Sequence, residues 1–180
     1  MVNHPNQAKV QQYTCAALWN LADDADNRLV IAQQGGIDHI LVAMARNPDN
    51  VWILQNVCSA LWNLAVDDGS SVSIAQKNGV ELVLSAMKRH SLDSTLQQKA
   101  CGVLWNLAID HKISVSIARQ GGIELVLSAL KNHRDDLILQ QKACGTLCNM
   151  SEIPDNCMLI LAQGGFELVV LALEHHKNDL

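Results

Sequence analysis

Four asparagines, Asn20, Asn63, Asn106 and Asn149, follow one another at intervals of 43 residues, and a tryptophan stands directly before each of the first three, at Trp19, Trp62 and Trp105. Gln12, Gln55 and Gln98 lie seven residues before those tryptophans. A carboxamide offers a donor and an acceptor at once, so a row of them can meet the alternating N–H and C=O groups of an extended chain. An indole adds a flat apolar floor with one polar edge. This is chemistry for holding a main chain, not for breaking one.

Most of the cysteines and several of the histidines follow the same interval. Cys15, Cys58, Cys101 and Cys144 recur in register, as do His90, His133 and His176, with Asn47 in the matching place of the first unit. Spaced about one repeat apart, they do not converge on a metal or a substrate bond; the histidines read as last-turn groups that meet exposed helix carbonyls. Helices of neighbouring units sit roughly 8–10 Å apart, whereas a disulfide needs Cα atoms within roughly 7 Å. The cysteines therefore read as reduced, buried, small hydrophobes of an intracellular protein, cytoplasmic with the nucleus as the second compartment. Cys144 and Cys148 fall one helical turn apart, which is half of a thiolate site and would need two further ligands. No Gly-x-Ser-x-Gly elbow, phosphate-cradling glycine loop or His-Glu-x-x-His is present. The expectation is a protein that is not an enzyme, with no catalytic residue, metal or cofactor.

The elements that position these rows share their period. Gly36, Gly79, Gly122 and Gly165 are also 43 residues apart, each closing a Gly-Gly or Asn-Gly pair that permits positive φ and a sharp change of direction. A short helix ends at each pair, and a longer one follows over about 37–46, 80–89, 123–132 and 166–175. Asp38, Glu81, Glu124 and Glu167 place a carboxylate in its first turn, where the helix dipole favours negative charge. After a polar joint such as Asn47-Pro48-Asp49-Asn50 comes a third helix, expected to carry 54–66, 96–109 and 139–151, with the opening copy running from the neighbourhood of Pro5 to Ala22. A unit of three helices repeating at this period is a stacked solenoid. Its expected divisions are a third helix over 1–26, full repeats over 27–69, 70–112 and 113–155, and a partial repeat over 156–180 that lacks its third helix.

Composition narrows the partners. The 180-residue chain is 49% apolar and carries a formal net charge of −5, with its 13 lysines and arginines scattered. That is no electrostatic footprint for a phosphate backbone, so nucleic acid is not an expected partner. No apolar run approaches the roughly 20 residues that span a bilayer, and no basic stretch with an apolar core opens the chain. The expectation is a soluble protein without a secretory leader or membrane partner.

The Gly-Gly-Ile-Glu-Leu-Val segment at 121–126 and the Ala-Leu-Trp-Asn-Leu-Ala segment at 60–65 resemble the hallmark stretches of the armadillo-repeat family, and the likeness runs over the whole chain. The resemblance implies an all-α fold, a right-handed α-solenoid of stacked three-helix armadillo-type repeats. It also implies a concave groove lined by third helices, whose asparagines, here Asn20, Asn63, Asn106 and Asn149, hold the main chain of an extended peptide. One departure stands out. Nuclear-import adaptors of that family carry a groove tryptophan four residues before the asparagine, where this chain has Ala16, Ser59, Gly102 and Gly145.

Helical geometry gives the third helix two sides without the family. At roughly 100° per residue, Leu18 and Leu21 fall away from Asn20, together with the rows Val10, Ile53, Leu96, Leu139 and Thr14, Val57, Ala100, Ala143. They form an apolar stripe roughly 100° wide. Opposite it lie the tryptophans, the glutamines, and Asp23, Val66 and Ile109. The asparagines can tie adjacent units together or clasp a ligand, and the resemblance favours the second. Four units at roughly 10 Å would hold roughly nine residues of extended chain. The expected function is a protein-interaction scaffold binding an extended peptide through Asn20, Asn63, Asn106, Asn149, Trp19, Trp62, Trp105, Gln12, Gln55 and Gln98. The rival readings are a structural array that stacks end to end as a homo-oligomer, since Val169, Leu171 and Leu173 lack a covering helix, and an import-adaptor-like reader of basic peptides.

Overall fold

A computed structural model of the chain describes residues 7–177; the helix start expected near Pro5 lies outside them. The described residues form helices and turns, with no strand among them. In chain order the helices are α1 (Ala8–Leu21), α2 (Ala25–Gln33), α3 (Gly36–Arg46), α4 (Val51–Leu64), α5 (Asp68–Gln76), α6 (Gly79–Arg89), α7 (Ser94–Leu107), α8 (His111–Arg119), α9 (Gly122–Asn132), α10 (Leu137–Ser151), α11 (Pro154–Ala162) and α12 (Gly165–His175). Lengths recur as 9, 11 and then 14 or 15 residues. The molecule is an all-α solenoid.

The sharp corner between the short and middle helices comes from two residues with different duties. Gly35, Asn78, Gly121 and Gly164 stand in the left-handed region at φ 75°, 61°, 82° and 78°, which glycine and asparagine tolerate best. The following glycine is required by space: a Cβ on Gly79 would lie 2.5 Å from Ile74 Cγ2 and 2.7 Å from Ile74 O. Only a bare Cα lets the middle helix start against the last turn of the short one.

The third helices begin two or three residues before the expected 54, 96 and 139. Asn50, Asp93 and Asp136 accept hydrogen bonds from the N–H groups of Ile53, Leu96 and Leu139 at 3.2, 2.7 and 3.0 Å, so α4, α7 and α10 start at residues 51, 94 and 137. Side-chain capping of the first turn moves the boundary into the polar joint.

Packing is sequential. The third helices lie against one another in the order α1, α4, α7, α10, and each of the last three also covers the middle helix before it, α3, α6 or α9. In α4 and α7 the leucines serve the core as expected: Leu61, Leu64, Leu104 and Leu107 are fully buried, with Ile53, Val57, Leu96, Ala100, Leu139 and Ala143. In α1, which has no third helix before it among the described residues, Leu18 is half-buried and Leu21 is 51% exposed, against the expectation. One cluster runs from Cys15 to Ile160. At the far end the pattern opens: Val169 and Leu173 are 38% and 70% exposed, whereas their counterparts Val126 and Leu130 are buried at 0% and 1%.

Polar side chains stitch the units. Gln97 Nε2 donates to Met87 O and His90 O at 2.8 and 3.1 Å, and Gln140 Nε2 donates to Leu130 O and His133 O, both at 2.9 Å. These amides satisfy the free carbonyls at the end of the middle helix. The histidine row reaches carbonyls too, but across the seam. His90, His133 and His176 place Nε2 2.8 Å from Pro48 O, Ser91 O and Arg134 O of the preceding unit.

Candidate functional site

The asparagines are aligned as the 43-residue spacing requires, one per third helix, and three of them bridge units. Asn63, Asn106 and Asn149 donate from Nδ2 to the main-chain oxygens of Trp19, Trp62 and Trp105 at 3.4, 2.9 and 3.0 Å. Each amide thus reaches the carbonyl of the tryptophan one unit earlier. Asn20, in the first third helix, is exposed. Of the two uses open to these amides in the sequence, the tie between units is formed, and it takes one N–H of each.

The tryptophan rings lie across the same seams. A Cβ on Gly102 would come within 2.9 Å of Trp62 Cδ2, and one on Gly145 within 2.8 Å of Trp105 Cε2. The ring of one unit therefore occupies the space beside the position four residues before the next unit's asparagine. That is where import adaptors carry their own groove tryptophan, so glycine there is the complement of a ring supplied by the neighbour. Trp62 and Trp105 are half-buried; Trp19, at the start of the stack, is 37% exposed.

Two lysines cover the rings. Lys99 Nζ stands 4.5 Å from the centroid of the Trp19 ring and donates to Ser59 Oγ at 2.6 Å. Lys142 Nζ stands 4.0 Å from the Trp62 ring and 4.8 Å from the Trp105 ring. An ammonium over an indole face is attracted by the ring quadrupole. Burial lowers the pKa of both lysines.

The glutamines behave less uniformly. Gln12, Gln55 and Gln98 are half-buried. Gln55 Nε2 donates at 2.9 Å to Asp93 Oδ1, the same oxygen that caps α7, so this amide joins the seam between α4 and α7. Three of the cysteine row are core: Cys15, Cys58 and Cys101 are buried, and burial pushes their thiols up to about 12, whereas Cys144 is half-buried. Cys148, in the place of a fourth tryptophan, is exposed.

Sequence reasoning passed over Lys99, Lys142, Tyr13, Trp52 and Ile138. Lys99 and Lys142 lie seven residues before Asn106 and Asn149, and Trp52 and Ile138 lie eleven before Asn63 and Asn149. Both spacings fall roughly 20° from the asparagine on a helical wheel. Tyr13 shares the lysine register. Tyr13, Trp52 and Ile138 are 72%, 64% and 51% exposed. The tryptophans repeat by type, whereas these positions change residue type from unit to unit, which hides them in the sequence.

Among the described residues no single helix is long and apolar enough to cross a membrane, and no group of three or more His, Cys, Asp or Glu side chains is gathered as a metal site. No curated protein matches the sequence. A family model described as "Protein zer-1 homolog-like, C-terminal domain" matches residues 1–180. That match takes in every helix of the stack and the full row of asparagines, and the chain belongs to the ZER1-like C-terminal domain family.

Proposed function

We propose that this chain is an armadillo-type, non-catalytic scaffold that holds an extended peptide along the wall formed by α1, α4, α7 and α10. The family is a substrate-recognition, protein-interaction domain, so a protein partner is the starting point. The observation that carries the finer reading is the asparagine ladder. Asn63, Asn106 and Asn149 are half-buried and held in one orientation by the bond to the tryptophan carbonyl. An amide has two N–H donors and an oxygen with two lone pairs; one donor is spent on the seam, and the rest faces what lies on the wall. Preorganised amides lose little rotamer freedom when they bind. Main-chain recognition by such a ladder, with side chains resting against the half-open tryptophans, is an extended-peptide mode. The lysines above those tryptophans disfavour basic peptides of the import type, because like charges would meet in a partly desolvated place.

The test is a peptide array probed with the wild-type chain and with Asn63→Ala/Asn106→Ala. The expected result is loss of bound spots while helicity is retained and the melting temperature falls by only a few degrees, since each lost seam bond costs about 1 kcal/mol. Unchanged binding by the double variant overturns the reading.

A second reading, self-association, is favoured by the exposure of Phe166, Val169 and Leu173 at 63%, 38% and 70%. The first helix of another copy is of the kind that covers this face in internal units. A mass by light scattering that stays monomeric across a hundredfold concentration range argues it away.

A further inference from the structure

The third helices contain no aspartate or glutamate at all, in a chain whose net charge is −5. Two of their cations, Lys99 and Lys142, stand on the tryptophans at the middle of the wall. Arg28, Lys77 and Arg89 pair with Asp67, Asp38 and Asp49 across seams. Cations without such a pair outside the third helices, Arg46, Lys88, Lys112, Arg119, Lys131 and Arg134, are exposed, whereas Lys99 and Lys142 are half-buried. Neither Lys99 nor Lys142 has a carboxylate partner among the described residues. Lys99 spends one donor on Ser59 Oγ; the Lys142 ammonium has no hydrogen-bond acceptor among the described residues and stands on the faces of two rings.

We propose that Lys99 and Lys142 are a specificity device, reading carboxylate side chains of an acidic extended peptide bound on this wall. The inference rests on the peptide-groove reading and adds the class of ligand. A partly buried ammonium that lacks a counter-charge gains most from an anion, because its solvation is already reduced and the local dielectric is low. The lowered pKa of both lysines, caused by burial, agrees with that condition. A basic segment is repelled at the same two points, so preference and rejection come from the same groups. The lysines occupy equivalent places in adjacent units, roughly 10 Å apart, which an extended chain covers in about three residues. Two carboxylates about three residues apart therefore fit both ammonium groups. The indoles beneath limit lysine motion, so each side chain has less rotamer freedom to lose on pairing.

The probe is an array of randomised nine-residue peptides, N-acetylated and C-amidated so that no terminal charge contributes. Wild-type chain is expected to enrich peptides with Asp or Glu and deplete those with Lys or Arg. The variant Lys99→Met/Lys142→Met keeps the stems against the rings and is expected to lose that enrichment, with acidic peptides binding on the order of tenfold more weakly. Lys99→Arg/Lys142→Arg keeps the charge and is expected to keep the enrichment, which separates charge reading from a folding defect, and circular dichroism checks that all three chains are folded. Peptide binding without acidic enrichment, or enrichment that survives the Met variant, overturns this inference and leaves the groove standing. No peptide bound by the wild-type chain overturns both.

Discussion

Gly102 and Gly145 carry the most local argument in the molecule, because each leaves room for a ring that belongs to the unit before. With a Cβ 2.9 Å from Trp62, Gly102→Val must push the indole off the seam, and overpacking of this kind costs about 1–3 kcal/mol. Urea unfolding should show it as a lowered midpoint. A midpoint equal to wild type would mean that the ring moves aside freely. The cysteine row makes a different kind of prediction. Cys15, Cys58 and Cys101 thiols ionise near 9.0 when unfolded and near 12 when folded, because burial penalises the thiolate. Between those values the unfolded chain has shed protons that the folded chain keeps. Stability is therefore intact below pH 9 and falls as pH rises towards 12, by about 1.4 kcal/mol per pH unit for each thiol. Unfolding midpoints measured from pH 8 to pH 11 should trace that decline, and Cys58→Ala should make it shallower.

At the scale of the helix, two glycines separate backbone freedom from close approach. Gly79 opens α6 against Ile74, where a Cβ would stand 2.5 Å from Cγ2; Gly79→Ala should destabilise by about 1–3 kcal/mol. Gly69 sits in α5 with nothing within 4 Å of its Cβ position. There Gly69→Ala should stabilise by about 0.5–1 kcal/mol, since alanine has less unfolded freedom to lose. Paired thermal melts decide both. The contrast also marks what could be read from the letters alone. The glycine pairs, the first-turn carboxylates and the Leu-Trp-Asn-Leu segments give the three-helix unit and its core face directly, because period and spacing are properties of sequence. The start of α7 at Ser94 was not legible, since it depends on Asp93 accepting from Leu96 N–H inside a joint that reads as turn. Nor was the role of Gln97, because its partners, Met87 O and His90 O, are carbonyls that only the packing of α7 on α6 brings within reach. At the site, the asparagine and tryptophan rows were visible and the lysines were not. A row that is Tyr13, Asn56, Lys99 and Lys142 in successive units shows no repeat to the eye, although geometry puts it beside the asparagines.

Across the whole molecule, stability is close to a sum over units and seams. The inner helices α4 and α7 are packed on both sides by other third helices, whereas the Val169 and Leu173 face of α12 is uncovered. Hydrogen exchange should accordingly be slowest in α4 and α7 and fastest in α11 and α12, a gradient set by burial and seam bonds. Uniform protection from end to end would require a cooperativity that this stack does not suggest.

The central claim is that residues 43 apart in the chain make one continuous binding wall. The most direct measurement is the indole N–H spectrum of nitrogen-15-labelled protein, which holds one signal for each of the 4 tryptophans. On addition of a peptide selected from the array, the signals of Trp62 and Trp105 should move together, with Trp19 following as the peptide extends towards α1. A peptide that binds while Trp19, Trp62 and Trp105 all stay in place would contradict the account.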